Sequence, residues 1–233
     1  MEDPSPFGVV VLDEQQRITS FVEKPPREAA PSNLINAGTW LFEPAVVPEM
    51  DATTPNRVEY ALFPALASAG RAIFGYHPRE TYWLDVGTAE TYRRANLELL
   101  GGALPRCLPN GWPADGLAIE GAEVAPGARL RGPVLLGAGT VVGEGAELLG
   151  PLVAGSRCTI HTSARVTGSI LWDDVTVKED AIVADTILAS GVLVGRGAVV
   201  DDAIVGHGAT IEAGARVPAG TRIDPGARWP RGQ

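Results

Sequence analysis

Sulfur is scarce in this 233-residue chain, which carries two cysteines, Cys107 and Cys158, and two methionines. The cysteines lie in different sequence surroundings and neither belongs to a metal-spaced cluster. That argues against a disulfide framework or a thiolate metal site and leaves two reduced thiols, as in a cytoplasmic protein. Aromatic residues are only 6% of the chain, so large core fillers are few. Cations are the minority charge, 19 Lys and Arg against 28 Asp and Glu for a net charge of -9, and no run of five or six basic residues occurs. A nucleic-acid surface and an anionic membrane are thereby disfavoured as partners, while small anionic ligands, which need only one or two cations, stay open. No apolar stretch reaches 18 residues, and MEDPSPFGVV has no basic segment ahead of an apolar core, which argues against a membrane span and a secretion signal.

The chain is rich in glycine (28), proline (19) and small or branched aliphatics, with 45% hydrophobic residues overall. These are β-formers and turn residues. From Val124 an aliphatic or small residue recurs every six positions through Leu130, Leu136, Val142, Leu148, Ala154, Ile160 and Val166. Four places after each comes a mostly small residue: Ala128, Val134, Thr140, Ala146, Leu152, Cys158, Ala164. The phase slips by one residue to Leu171, again to Leu188 and again to Val205, and the series ends at Ile223. Six residues supply one short strand and one turn, so three units make a triangular coil with the periodic positions inside, and stacked coils bury that column. About six coils are expected, roughly 29 Å tall at ~4.8 Å per coil. The slips recur once per coil and are expected at one corner. Solenoids of this hexapeptide type are left-handed, against the usual crossover rule.

The first hundred residues follow another pattern. Val9–Leu12 and Ile18–Glu23 read as strands joined by the polar Asp13–Arg17 turn, and Leu34–Phe42 as a strand interrupted at Asn36-Ala37-Gly38. Pro44 opens a short helix, Val58–Ala69 is helical, and Ile73–Tyr76 and Tyr82–Val86 read as short strands. Thr88 caps a helix through Leu100, stopped by Gly101-Gly102. A Pro/Gly-rich linker follows to about Asp115.

FVEKP, NLINAGTWLF and YWLDVGT occur in this order ahead of the hexapeptide repeats. In these motifs the chain resembles the sugar-1-phosphate nucleotidyltransferases, most closely the mannose-1-phosphate guanylyltransferase-like branch with a C-terminal left-handed β-helix. The resemblance implies an α+β partial nucleotidyltransferase domain (Rossmann-like, GT-A type) over residues 1–102, a linker at 103–116, and an all-β parallel β-helix over 117–233. Family members open with a nucleotide-binding half that begins with a G-x-G-T-R loop, and that half is absent here. The one GxGT string, Gly137-Ala138-Gly139-Thr140, is followed by Val141 and sits in phase with the hexads, so it reads as a solenoid turn.

The same resemblance assigns residues. Lys24 matches the lysine that meets the sugar phosphate, a point-charge contact suited to an ammonium. Glu23 would accept from sugar hydroxyls. Asn36 and Gly38 match the segment lining the sugar pocket, where an amide reads hydroxyls and a missing side chain permits close approach. Asp85 matches a Mg²⁺ ligand whose partner carboxylate belongs to the absent half, and Lys24 and Asp85 are expected to face one shallow basin. The implied substrates are a sugar-1-phosphate and a nucleoside triphosphate, with self-association or other assembly through the β-helix.

Blander readings stand beside these. Glu-Lys-Pro is a common strand exit, Asp85 would serve as a turn acceptor, and Asn36 would equally satisfy a backbone group at a bulge. Trp40, Trp83, Phe63 and Tyr82 read as core, and Cys158 as an inward packing residue. Two other functions are open: a non-catalytic regulatory or assembly subunit keeping the sugar-binding edge, and a hexapeptide acyltransferase using His161 or His207 as a base. Without the nucleotide half, strands of the first region are expected to keep unpaired edges and an uncovered apolar face.

Overall fold

The computed structural model describes residues 1–50, 58–78, 81–102, 116–119 and 121–230. The chain divides into two compact units, Met1–Trp83 and Leu84–Gln233. The expected linker and Cys107 lie outside the described residues.

In the first unit β1 (Gly8–Leu12) and β2 (Ile18–Glu23) form the expected hairpin, with Gly8 opposite Glu23 and Val10 opposite Phe21. The turn is closed by Asp13, whose carboxylate accepts from the amides of Gln15 (2.9 Å) and Arg17 (2.8 Å). β3 (Leu34–Ile35) joins the other edge of β1, giving the order β2-β1-β3. Helix α1 (Leu62–Ser68) lays Phe63 on Val10 and Phe21 to make a small core.

Several expected elements are shorter. The strand foreseen over Leu34–Phe42 stops at Ile35, because the Asn36 side chain then takes up the backbone of the following turn. Ile73–Tyr76 contributes one antiparallel bridge, Arg17 to Phe74, and Tyr82–Val86 forms no strand. The helix foreseen from Val58 begins at Leu62, and Pro44–Glu49 is a 3₁₀ turn. Phe63 is buried as expected, but Trp40 and Tyr82 keep 39% and 37% of their surface exposed, since neither lies on a strand facing the core. Leu41 and Tyr76 are almost wholly exposed.

The second unit is a parallel β-solenoid, with three sheets of seven, seven and six strands among the described residues. The periodic residues fill its axis: Leu136, Val142, Leu148, Ile160, Val166, Leu171, Val177, Leu188, Val194 and Ile211 are all buried, as are the small residues Ala146, Cys158 and Ala164. Gly137–Thr140 is a turn between strands Val134–Leu136 and Val141–Val142, with Gly139 at φ 73°. Burial pushes the Cys158 thiol above its ordinary pKa.

The slips have a structural cause. Some coils advance 18 residues, as from Val134 to Leu152 and from Ile204 to Arg222, and those with the slips 17, as from Ile170 to Ile187. The lost residue comes from one side, where the strand after a two-residue corner falls from three residues, as in Leu152–Ala154, to two, as in Ile170–Leu171. The corners ahead of the short strands are Gly168-Ser169, Asp185-Thr186 and Asp202-Ala203. The first residue of each takes positive φ, at 55°, 49° and 39°, a conformation open to glycine and tolerated by aspartate. The second points inward, and where it carries a hydroxyl it links coils. Ser169 Oγ donates to the Thr167 carbonyl and accepts from the Thr186 amide (3.1 Å). Thr186 Oγ1 repeats this with the Ala184 carbonyl and the Ala203 amide (3.2 Å). Thr140 serves another corner, donating to the Gly155 carbonyl and accepting from the Cys158 amide. Fully buried hydroxyls are stable there because each is satisfied in both directions.

One outer face of the solenoid is also apolar. Val153, Ile170, Ile187 and Ile204 are stacked in register, and Ile170 and Ile187 are buried although their strand neighbours Leu171 and Leu188 fill the axis. Helix α2 (Ala89–Leu100) packs on this face at strand Leu152–Ala154, with Tyr92 and Asn96 beside Val153 and Ile170, and its Leu100 is buried. By contacts α2 therefore belongs with the solenoid, although its sequence position suggested the first region.

Thr186→Val keeps the corner's shape but leaves the Ala203 amide without an acceptor. It is expected to destabilise the solenoid by about 1–3 kcal/mol, read as a lower urea midpoint with unchanged m. In a Cys107→Ser background Cys158 should stay inert to a thiol reagent until the solenoid unfolds. Because the folded thiol holds its proton more tightly than the unfolded one, stability should fall as pH rises past the ordinary thiol pKa.

Candidate functional site

The start of β1 gathers two of the three motifs. Gly8 pairs with Glu23, the Phe7 carbonyl accepts from the Lys24 amide (3.0 Å), and the Gly8 carbonyl accepts from the Asn36 amide (2.7 Å). Glu23 and Lys24 thus flank this end of β1 on one side and Asn36 on the other. Gly8 is required by crowding: a Cβ there would lie 2.7 Å from both Glu23 Oε2 and Phe21 Cζ. The missing side chain leaves room for the Glu23 carboxylate, whose Oε2 is buried.

Lys24 is exposed and leaves the strand with φ 46°, directly before the buried Pro25. Left-handed backbone is costly for a side chain with a Cβ, and the residue before proline is normally held in extended conformation. Such a conformation persists only when its surroundings enforce it, here the Phe7 hydrogen bond and Pro25, and it turns the chain sharply at the lysine.

Asn36 is fixed by its own turn. Its Oδ1 accepts from the Gly38 amide (3.1 Å) and from the Trp40 indole nitrogen (2.8 Å), so the amide nitrogen remains as a donor group of a side chain held in one orientation. Gly38 sits at φ 76° with no atom within 4 Å of a Cβ position. Its glycine is demanded by the backbone, and the space over it is open. The indole of Trp83 donates to the Ala37 carbonyl (3.3 Å) and meets the Phe7 ring edge-on at 5.2 Å, fastening the start of YWLDVGT to the same end of the sheet. Trp40 and Gly8 carried no functional signal in the sequence: the indole four places after Asn36 reads as core, and a glycine clearing a carboxylate on the neighbouring strand is a tertiary relation.

Asp85 falls in the second unit and is exposed. Its Oδ2 lies 2.9 Å from where a Cβ of Gly87 would be, so the carboxylate folds back over that glycine. Thr88 begins α2 with a capping box, in which the Thr91 amide donates to Thr88 Oγ1 and the Thr88 amide to Thr91 Oγ1, both at 3.1 Å. Among the described residues no group of three or more His, Cys, Asp or Glu could hold a metal ion. Asp85 offers a single carboxylate, the share a protein wall gives to a magnesium ion bound mainly through substrate phosphates and water, and by itself it makes no closed site.

The solenoid histidines are engaged locally. His161 has Lys178 Nζ at 3.3 Å from Nε2 and Glu179 Oε1 at 3.5 Å from Nδ1, whereas His207 is exposed with its ring edge-on to Trp172 at 5.2 Å.

Residues 1–101 match the nucleotidyl transferase family, and residues 130–225 match the GMPPB C-terminal domain. The first region is thus a stretch of the nucleotidyl transferase family. A mannose-1-phosphate guanylyltransferase from Mycobacterium tuberculosis is 35% identical over 182 residues, which are 78% of this chain and 45% of that protein. A putative mannose-1-phosphate guanyltransferase from Sulfolobus acidocaldarius is 31% identical over 142 residues, 61% of this chain and 35% of its own length. A crystal structure of a hexapeptide transferase family protein from Anaplasma phagocytophilum covers 47% of this chain and 70% of its own, with 25% identity and a TM-score of 0.46. The chain spans less than half the length of the two guanylyltransferase relatives. Its family-matched first stretch includes α2, which is packed on the solenoid.

Gly8→Ala should cost about 1–3 kcal/mol by forcing Glu23 and Phe21 apart, whereas Gly38→Ala should cost only its positive φ, about 1–2 kcal/mol. Urea titration followed by the fluorescence of Trp40 and Trp83 would separate them. Chemical-shift changes at Glu23 should accompany the first substitution and be absent from the second.

Proposed function

We propose that this chain is part of a sugar-1-phosphate nucleotidyltransferase that makes an NDP-sugar, GDP-mannose or a close analogue, from a nucleoside triphosphate and a sugar-1-phosphate in the cytoplasm. The observation that carries the reading is the meeting of Glu23-Lys24 and Asn36 at one end of β1, with Lys24 turned out of the strand and Asn36 locked by Trp40. In this reading the ammonium of Lys24 meets the sugar phosphate, and Glu23 and the Asn36 amide take sugar hydroxyls at a turn left open by Gly38. Residues 1–102 are the catalytic portion, 103–116 the linker and 117–233 the β-helix.

In the reaction a phosphate oxygen of the sugar-1-phosphate attacks the α-phosphorus of the triphosphate. The bond from that phosphorus to the oxygen bridging the α and β positions breaks, and pyrophosphate leaves with the electron pair. Two anions must be held in line, so the protein contributes position and countercharge rather than covalent chemistry. Lys24 screens the attacking phosphate and lowers the repulsion between the substrates. Asp85 would supply one ligand to Mg²⁺, which when bound would neutralise charge on the triphosphate.

Two arms of one assay test the reading. The 233-residue chain alone should release no pyrophosphate from any pairing of nucleoside triphosphate and sugar-1-phosphate. Co-expressed with the N-terminal portion of the Mycobacterium tuberculosis relative that precedes the matched region, it should gain turnover with GTP and mannose-1-phosphate. Lys24→Ala should raise KM for the sugar phosphate at least tenfold, and Asp85→Asn should remove activity. Turnover by the chain alone, or complementation indifferent to both substitutions, would overturn the assignment. A stable complex without turnover would favour the non-catalytic subunit.

A further inference from the structure

Asp85 is exposed and precedes α2 by only three residues, Val86, Gly87 and the cap Thr88, with its carboxylate folded over Gly87. Its location therefore follows the first turn of α2, and what fixes that turn is the solenoid. One side of the helix is held by Arg93, whose Nη1 donates to Asp185 Oδ1 (2.8 Å) and also lies 3.3 Å from the Asp185 carbonyl. The other is held by Tyr92, whose hydroxyl accepts from the Trp172 indole nitrogen (3.2 Å) while the two rings meet edge-on. An exposed ion pair alone contributes ~1 kcal/mol or less. Here it is joined by a backbone acceptor, an aromatic contact and the packing of α2 on strand Leu152–Ala154 beside the buried Ile170.

Both solenoid partners are rigid at their roots. Asp185 is the positive-φ residue of a two-residue corner whose next residue, Thr186, is tied to the coils on either side. Trp172 is braced by the His207 ring opposite Tyr92. All of these residues lie in one compact unit.

We infer that Arg93, Asp185 and Trp172 are positioning residues for Asp85, acting through α2 and its capping box. The inference rests on the reading of Asp85 as a ligand of the substrate-bound metal. The solenoid then has a direct part in the reaction: it sets where that carboxylate stands, and an error of about 1 Å in such a group costs on the order of 10²-fold in rate.

Hydrogen exchange in the full 233-residue chain tests the mechanical link. Arg93→Ala and Trp172→Leu should each speed exchange of the amides from Val86 to Tyr92 at least tenfold, with the solenoid's melting temperature unchanged. Arg93→Lys should restore part of the protection. Unaltered exchange in both first variants would overturn the proposal. In the complemented enzyme Arg93→Ala should lower kcat tenfold or more and raise the Mg²⁺ concentration required, leaving KM for the sugar phosphate as it was. A change in that KM alone, or no change at all, would also overturn it. Faster exchange supports the link even where the complemented parent is inactive, and that inactivity would count against the functional reading only.

Discussion

The solenoid half of this chain depends on one closure condition: after three short strands the backbone must return above its starting point, so that each inward side chain lands on its counterpart one coil earlier. Parallel pairing from Val134 through Leu152 to Ile170 and Ile187 expresses that condition in register, and it leaves no room for water along the axis. A coil of 17 residues meets it as well as one of 18, provided that one strand gives up a residue. The positive φ of Gly168, Asp185 and Asp202 turns the corner ahead of each short strand, and the hydroxyls of Ser169 and Thr186 reach the amides that it would otherwise leave unpaired.

A closed axis leaves the outer faces free to vary, and one of them is put to use. The stripe at Val153 and Ile170 lines a cleft shared with Tyr92 and Asn96 of α2. The helix's polar residues fit the local chemistry of the coils, Arg93 at the Asp185 corner and Tyr92 against Trp172. Within this unit the end of the motif YWLDVGT is fixed by Thr88, the cap of a helix packed on the solenoid.

The first unit works on a smaller scale. Its three strands bury little, and its ordering at the functional end rests on crossings that glycine allows: Gly8 under the Glu23 carboxylate and Gly38 in the turn that Asn36 closes. These positions are defined by backbone hydrogen bonds to Phe7 and Gly8, so the geometry around Lys24 and Asn36 is carried by main chain that a substitution at the side chains would not remove.

The solenoid, its inward residues and its phase slips were legible in the order of amino acids, because a repeat of six converts one-dimensional spacing directly into an inside and an outside. The hairpin at Asp13 and the cap at Thr88 were legible for a similar reason: their hydrogen bonds join residues a few places apart. The allegiance of α2 was not, since it is settled by partners far along the chain, and the end of Leu34–Ile35 was missed because a local turn at Asn36 competes there with a β-like apolar pattern. Asn36 diverts its strand only because Trp40 and Gly38 supply the donors, and α2 sits on the solenoid where Val153 and Ile170, far along the chain, line up outward in register. Local spacing can specify a turn or a period, whereas which surface covers which is decided when distant segments compete to exclude water.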